Sequence, residues 1–201
     1  MSGGNAITSR PALGDGVFGT AEFSHEDPPL YRWLLTREWD TDLPVVNFVG
    51  LNPSTANAAM DDPTMRRLLG FAQRWGFGKF VMTNLFAWRS PHPRDLRSCS
   101  EPVGLKNNES IRRAAAEAQL VVVCWGEGGY LLDRWRAVAR FLPKMPSCFG
   151  TTRSGQPRHP LYLASSSNLE PFTGFVFDHE VRMVREHSGR AGHRSSWRVM
   201  R

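Results

Sequence analysis

Lysine is scarce in this chain: Lys79, Lys106 and Lys144 are the only ones among 25 basic residues. Cysteine is scarce too, with Cys99, Cys124 and Cys148 far apart and odd in number. No Cys-x-x-Cys exists, which excludes a paired-cysteine zinc or iron–sulfur site. Nor is this the pattern of a disulfide-dense secreted domain, so a reducing, cytoplasmic setting is expected. No apolar run approaches the ~20 residues needed to span a bilayer. The first residues lack the apolar core of a signal peptide, so no membrane association is expected. The six histidines show no metal-ligand spacing, so neither a metal nor a cofactor is expected. Gly-x-x-x-x-Gly-Lys-Ser/Thr and Gly-x-Gly-x-x-Gly are both missing, which argues against a nucleotide triphosphatase and a dinucleotide oxidoreductase. Gly-x-Ser-x-Gly is missing as well, and with it the α/β-hydrolase elbow.

What is there is a basic chain of one-domain size. It has 201 residues, 41% of them hydrophobic, and a formal charge of +6. Such a balance favours polyanionic partners, nucleic acid first. Residues 1–20 are rich in Gly, Ser and Ala and read as a flexible lead-in. Residues 21–180 read as a single α/β domain. Residues 181–201 read as a basic, disordered tail.

Within the domain, apolar runs alternate with helical periodicity. Tyr31–Thr36 reads as an antiparallel edge strand. Val45–Val49 is a second strand, followed by the polar turn Gly50-Leu51-Asn52-Pro53-Ser54-Thr55. Asp62-Pro63-Thr64 is an N-cap and a first helical turn. Met65, Leu68, Leu69 and Ala72 then share one helical face, and Gly76-Phe77-Gly78 ends the helix. Lys79–Thr83 is a strand, Ser90–Gly104 a long loop, and Asn107 or Asn108 caps a helix to about Ala118. Leu120–Cys124 is a buried strand, Tyr130–Phe141 a helix, and Ser147–Phe149 a short strand. Strand and helix alternate with short connections. This predicts a three-layer α/β/α sandwich around a central, mainly parallel four-stranded sheet.

Each proposed parallel strand ends in a polar stretch: 50–55, 84–89, 125–129 and 156–162. In such a sheet these loops share the carboxyl edge, where ligands bind. Asn52, Asn84 and His159 would meet there. Two amides and an imidazole suit hydrogen-bond reading of a planar heterocycle, or the holding of a water. Asp61 and Glu127 are candidate acids at the mouth of the pocket.

The loops carry two resemblances. Tyr31 to about Pro171 resembles a bacterial and phage family known only as a domain of unknown function. The residues concerned are Asn52-Pro53-Ser54-Thr55-Ala56, Asp62-Pro63-Thr64, Asn84-Leu85-Phe86-Ala87-Trp88-Arg89 and Gly155-Gln156-Pro157-Arg158-His159-Pro160-Leu161-Tyr162. More distantly, Gly50-Leu51-Asn52-Pro53, Thr83-Asn84-Leu85, Cys124-Trp125-Gly126 and His159-Pro160-Leu161 resemble, in order, the motifs of the uracil-DNA glycosylase superfamily. That second resemblance implies a glycosylase-like fold and a monomeric DNA enzyme. It would flip a modified or damaged base and hydrolyse its N-glycosidic bond without a covalent adduct.

By that resemblance Asn52 positions the attacking water and His159 stabilises the leaving base. Asn84 reads the base edge. Phe86, Trp88 or Trp125 would stack on the base. Leu161 and Tyr162 would fill the gap in the helix, although this chain has His-Pro-Leu-Tyr without the Ser-Pro of the glycosylase motif. Ser54, Arg66, Arg89, Arg153 and Arg158 would contact phosphates. The absence of lysine from all four loops supports the non-lyase form. The phage relatives suggest a hypermodified base. Two other readings stand beside this one: a non-catalytic reader of modified bases, and an enzyme acting on free nucleosides or nucleotides.

Overall fold

The computed structural model describes residues 16–175 and, for the backbone only, residues 6–11. Among these residues eight strands form one mixed sheet in the order β1-β2-β3-β5-β4-β6-β7-β8. They are β1 (Ala6–Pro11), β2 (Phe18–Phe23), β3 (Arg32–Glu38), β4 (Val45–Gly50), β5 (Lys79–Asn84), β6 (Leu120–Val123), β7 (Ser147–Cys148) and β8 (Glu170–Pro171). The helices are α1 (Pro63–Arg74), α2 (Asn107–Glu117) and the short α3 (Arg134–Val138).

The sheet is larger than the four strands expected. β4, β5, β6 and β7 are mutually parallel, but β1, β2, β3 and β8 pair antiparallel. β3 is therefore not an edge strand, because β2 and β1 extend the sheet beyond it. The stretch 1–20, expected as a loose lead-in, supplies β1 and the start of β2. The expected tail, 181–201, lies outside the described residues.

Side-chain alternation sorts the core onto two faces. Val46 and Phe48 of β4, Phe80 and Met82 of β5, and Val122 of β6 pack with Met65, Leu68, Phe71 and Ala72 of α1. Val49, Val121 and Val123 point the other way, toward Ile111 of α2 and Trp135 and Val138 of α3. The chain steps from β4 outward to β5 and then back past β4 to β6. Right-handed connections in opposite directions must put α1 and α2 on opposite faces.

Helix α1 begins as its sequence requires. The Asp62 side chain accepts from the Met65 N–H at 2.9 Å, and Pro63 takes the first helical position, where no N–H is needed. Gly76 ends it with φ of +78°, a left-handed value that favours glycine. The helix expected over Tyr130–Phe141 is broken. Leu132 and Asp133 have φ of +54° and +49°, so a 3-10 segment (Gly126–Asp133) precedes the single turn of α3.

Candidate functional site

Because β4, β5, β6 and β7 run parallel, the loops that follow them leave from one edge of the sheet. The site builds outward from Asn84, the last residue of β5, which lies opposite Gly50 in the register. Asn84 is 2% exposed. A Cβ on Gly50 would sit 2.9 Å from its Nδ2, so glycine leaves room there. Its Oδ1 accepts from Arg32 Nη2 at 3.4 Å, while its Nδ2 is buried without a hydrogen-bond partner.

Arg32 reaches Asn84 through a backbone irregularity. The β2–β3 register shifts so that Glu22 faces Leu34 and Phe23 faces Arg32. The extra residue is Trp33, and such a bulge re-aims the side chain that precedes it. Arg32 thus joins Leu35 and Arg37 on the α1 face. It is 2% exposed and donates through Nη1 to the Ala56 carbonyl at 2.9 Å. Its Nε has no partner. Among the described residues no carboxylate pairs with it, and burial pulls its pKa down to about 10. A buried cation without a counter-ion is a costly arrangement.

Arg37, also fully buried, is handled differently. Its Nη2 and Nε bond Asp61 Oδ1 at 2.7 and 3.0 Å, and Nη2 also donates to the Asn57 carbonyl at 2.7 Å. Together the two arginines buckle residues 56–61 onto the sheet. This accounts for Asp61, the candidate acid: its carboxylate balances Arg37.

Asn52 lies in the same loop. Its Nδ2 donates to the carbonyls of Ser90 at 2.9 Å and Pro53 at 3.1 Å, which leaves Oδ1 as its free acceptor among the described residues. His159 rests on the Trp-Gly turn: a Cβ on Gly126 would lie 3.6 Å from His159 Cβ. The Leu161 N–H donates to Nδ1 at 3.3 Å, which assigns the proton of the neutral ring to Nε2. Burial lowers the His159 pKa, against an opposing pull from Asp62. Asp62 also acts electrostatically on Arg32 and Arg37. Among the described residues no hydrogen bond joins Asn52 or His159 to Asn84; the Asp62 charge acts on both Arg32 and His159, and Arg32 alone is bonded to Asn84.

Other expected site residues lie elsewhere. Phe86 and Trp125 are fully buried on the α2–α3 face, and Trp125 Nε1 donates to Gln156 Oε1 at 2.7 Å. Trp88 packs against the same core. None of the three is placed to stack beside Asn84. β5 ends at Asn84, and Asn107 Nδ2 and Arg134 Nε hold the Leu85 carbonyl at 2.8 and 2.7 Å. The chain is thereby turned toward the opposite core. Glu127 is exposed and accepts from Ser154 Oγ at 2.5 Å. Arg66, Arg153 and Arg158 are exposed and Ser54 half-buried. Arg66 donates to the Asp61 carbonyl at 2.7 Å and Arg158 to that of Thr151 at 3.1 Å. Arg89 is half-buried, bonded to the Pro29 carbonyl at 2.9 Å and set over the Phe23 ring. Leu161 is half-buried, while Tyr162 is 86% exposed.

Two surface clefts are lined mostly by other residues, and neither includes Asn52, Asn84 or His159. One, of about 510 Å³, includes Phe23, His25, Asn57 and Arg89. The second, of about 350 Å³, includes Leu51, Arg94, Arg97 and Tyr130. Asn84 is instead buried, and the Arg32 guanidinium bridges it to the Ala56 carbonyl. Sequence reasoning missed Arg32 and Arg37. The available signal was two arginines inside a strand whose neighbours are Trp, Leu and Leu.

No curated protein and no solved structure matches the chain, and no comparison connects it to the uracil-DNA glycosylase superfamily. A family model does match, over residues 32–161, which takes in Arg32, Asn52, Asn84 and His159. The chain belongs to that family, described as a protein of unknown function, DUF1643.

Proposed function

We propose that the chain is a monofunctional DNA glycosylase of the uracil-DNA glycosylase type, acting on a modified or damaged base. The observation that carries this reading is the state of His159. Its Nδ1 is occupied and its ring is kept neutral by burial, so Nε2–H is a hydrogen-bond donor at neutral pH. A neutral imidazole donor suits a leaving base on which negative charge develops.

The two amides complement it. Asn52 is locked by its nitrogen and offers an acceptor that can hold a water. Asn84 is bonded through its oxygen and offers a donor for a carbonyl on the base. The reaction needs little more. The bond between the sugar C1′ and the base nitrogen breaks, and its electron pair leaves with the base. Water adds at C1′ and its proton is released. Asn52 is no strong base, which suits a good leaving group and a slow turnover. Tyr162, exposed beside His159, fits the wedge role better than half-buried Leu161. The base would reach Asn84 only after the 56–61 segment lifts. The bacterial and phage character of the resembling family favours a hypermodified pyrimidine over uracil.

One observation favours the reader of modified bases instead: Asp61 is committed to Arg37, which removes one of the two candidate acids. A single assay separates the two. The protein is incubated with oligonucleotides carrying uracil, hydroxymethylpyrimidine or glycosylated pyrimidine, and abasic sites are revealed by alkali. Alkali-labile product that falls ~100-fold or more in His159→Ala or Asn52→Ala supports excision. Tight, salt-sensitive binding with no product supports the reader. Binding of free nucleotides with little salt dependence and no DNA affinity would overturn both.

A further inference from the structure

We infer that the cleft over the carboxyl ends of β4 and β6 is a second site, on the α2–α3 face, that binds a nucleoside 5′-phosphate unit. This does not rest on base excision. The excision residues Asn84 and Arg32 lie on the α1 face, whereas this cleft sits over the other core.

Topology points to the place. The connection from β4 runs one way, by α1 to β5, and the next runs back the other way, from β5 by α2 to β6. The gap between β4 and β6 is the switch point of the parallel strands, where ligands bind in open α/β sheets. A cleft of about 350 Å³ stands there, lined by Leu51 from the end of β4, Pro93 to Arg97 after β5, and Glu127 to Leu131 after β6. That volume is at the small end of the ligand-pocket range and suits one nucleotide.

The lining has the chemistry of such a ligand. Leu51, Leu96 and Leu131 make an apolar floor. Gly128 lets the turn settle on it, because a Cβ there would collide with the Leu51 side chain. The Tyr130 ring is 44% exposed but held in place. Its hydroxyl donates to the Ser154 carbonyl, and its edge meets Trp135 at 6.4 Å and 86°. A fixed, open aromatic face over leucines suits a flat heterocycle of any sequence.

The charge comes from the 93–97 segment. Arg94 and Arg97 lie three apart on a 3-10 turn, where side chains at that spacing eclipse. Both line the cleft and both are exposed. Arg94 is only loosely paired, with Asp95 at 3.9 Å, and Arg97 has no ion pair among the described residues. Two arginines three apart on one turn can grip a phosphate together. The one acid on the rim, Glu127, is held by Ser154 and can accept from a sugar hydroxyl. Beside the cleft Leu132 stands 67% exposed with a left-handed φ, a conformation a leucine keeps only under constraint.

The test titrates the full chain, by calorimetry and Tyr/Trp fluorescence, with AMP, UMP, adenosine, inorganic phosphate and a trithymidylate. AMP and UMP should bind saturably, and adenosine and phosphate at least 10-fold more weakly. Arg94→Ala with Arg97→Ala should weaken the nucleotides at least 10-fold, and Leu131→Trp, which fills the cleft, should abolish binding. Thermal melts check that the exposed arginine pair can be changed without unfolding. Trithymidylate tighter than UMP assigns the unit to a strand, and equal affinities assign it to a free nucleotide. Either result supports the site. No saturable binding of AMP, UMP or trithymidylate overturns it, as does binding indifferent to the arginine pair. Neither outcome touches the excision assay, whose residues remain intact in these variants.

Discussion

The two faces of the sheet are packed by different rules at the same edge. On the α1 face the start of β3 and the end of β5 carry Arg32 and Asn84, both removed from water, and further along β3 the buried Arg37 pairs with Asp61 from the loop after β4. On the α2–α3 face the corresponding positions carry Phe86, Leu85 and Trp125. The polar face is held by direction-specific bonds, which fix where each amide and guanidinium points. The α2–α3 face is held mainly by contact area, with a few directed bonds, from Asn107 and Arg134 to the Leu85 carbonyl and from Trp125 to Gln156. The orientation of Asn52 and Asn84, one presenting oxygen and the other nitrogen, is available only under the first rule.

The largest effects test that contrast directly. Phe86→Ala should destabilise by ~3–5 kcal/mol, as expected for a large aromatic removed from a packed core. Asp61→Ala should cost a similar ~3–5 kcal/mol, for a different reason: it strands the buried Arg37 charge. The two are told apart by a second substitution. Arg37→Met should restore most of the loss in Asp61→Ala and none in Phe86→Ala. Urea unfolding of the single and double variants measures this. Equal behaviour of the two pairs would erase the distinction between the faces.

Arg32→Met sharpens the comparison further. Arg32 has no carboxylate to strand, so its replacement by an apolar chain of similar length should cost less than ~2 kcal/mol, or even stabilise. It should nevertheless free the Asn84 amide to rotate, and so weaken DNA binding or excision at least 10-fold while the melt stays near wild type. A loss of stability as large as that of Asp61→Ala would make Arg32 a purely structural buckle.

Those three residues also mark where the sequence could be read and where it could not. Helix α1 was legible because its cap, its first-turn proline and its apolar period agree with one another. The parallel strands were legible because 45–49, 79–83 and 120–124 are apolar on both faces. β1 and β2 were not, since Gly, Ser and Ala carry too weak a period to announce a strand. Arg32 was hidden by a bulge, which changes the side-chain face without leaving a mark on composition. The face of Trp125 follows from strand alternation carried past the end of β6. Val121 and Val123 face α2, and Trp125 follows them, two residues on. The stacking role of Phe86 failed because Asn107 and Arg134, distant in sequence, redirect the chain at Leu85.

A smaller effect lies at the junction of the two descriptions. Asp62 caps α1 and also supplies the negative charge felt by Arg32 and His159. Loss of the cap alone should cost ~1 kcal/mol. Asp62→Asn keeps a capping oxygen and removes the charge, so it should hold stability near wild type and lower the His159 pKa further. Asp62→Ala should lose both. NMR titration of the His159 ring in the two variants, beside their melting temperatures, separates capping from electrostatics.

The smallest effect is the pH dependence of stability that His159 imposes. Its folded pKa is lowered by burial, so the imidazolium forms more readily in the unfolded chain. Below the unfolded value of about 6.5 the unfolded state binds more protons than the native one, and stability must rise with pH there. The contribution is therefore complete above neutral pH and is lost as pH falls through the histidine range. His159→Gln keeps a side-chain hydrogen-bonding group but cannot titrate, so its stability should change less between pH 7 and pH 5 than that of the wild type. Trp125, on the other face, does not titrate, and Trp125→Phe should leave the pH profile parallel to the wild type while lowering it throughout, by the bond to Gln156. An unchanged profile in His159→Gln would mean that the ring reaches solvent as freely folded as unfolded, and the burial argument for the proposed neutral donor would then have no physical basis.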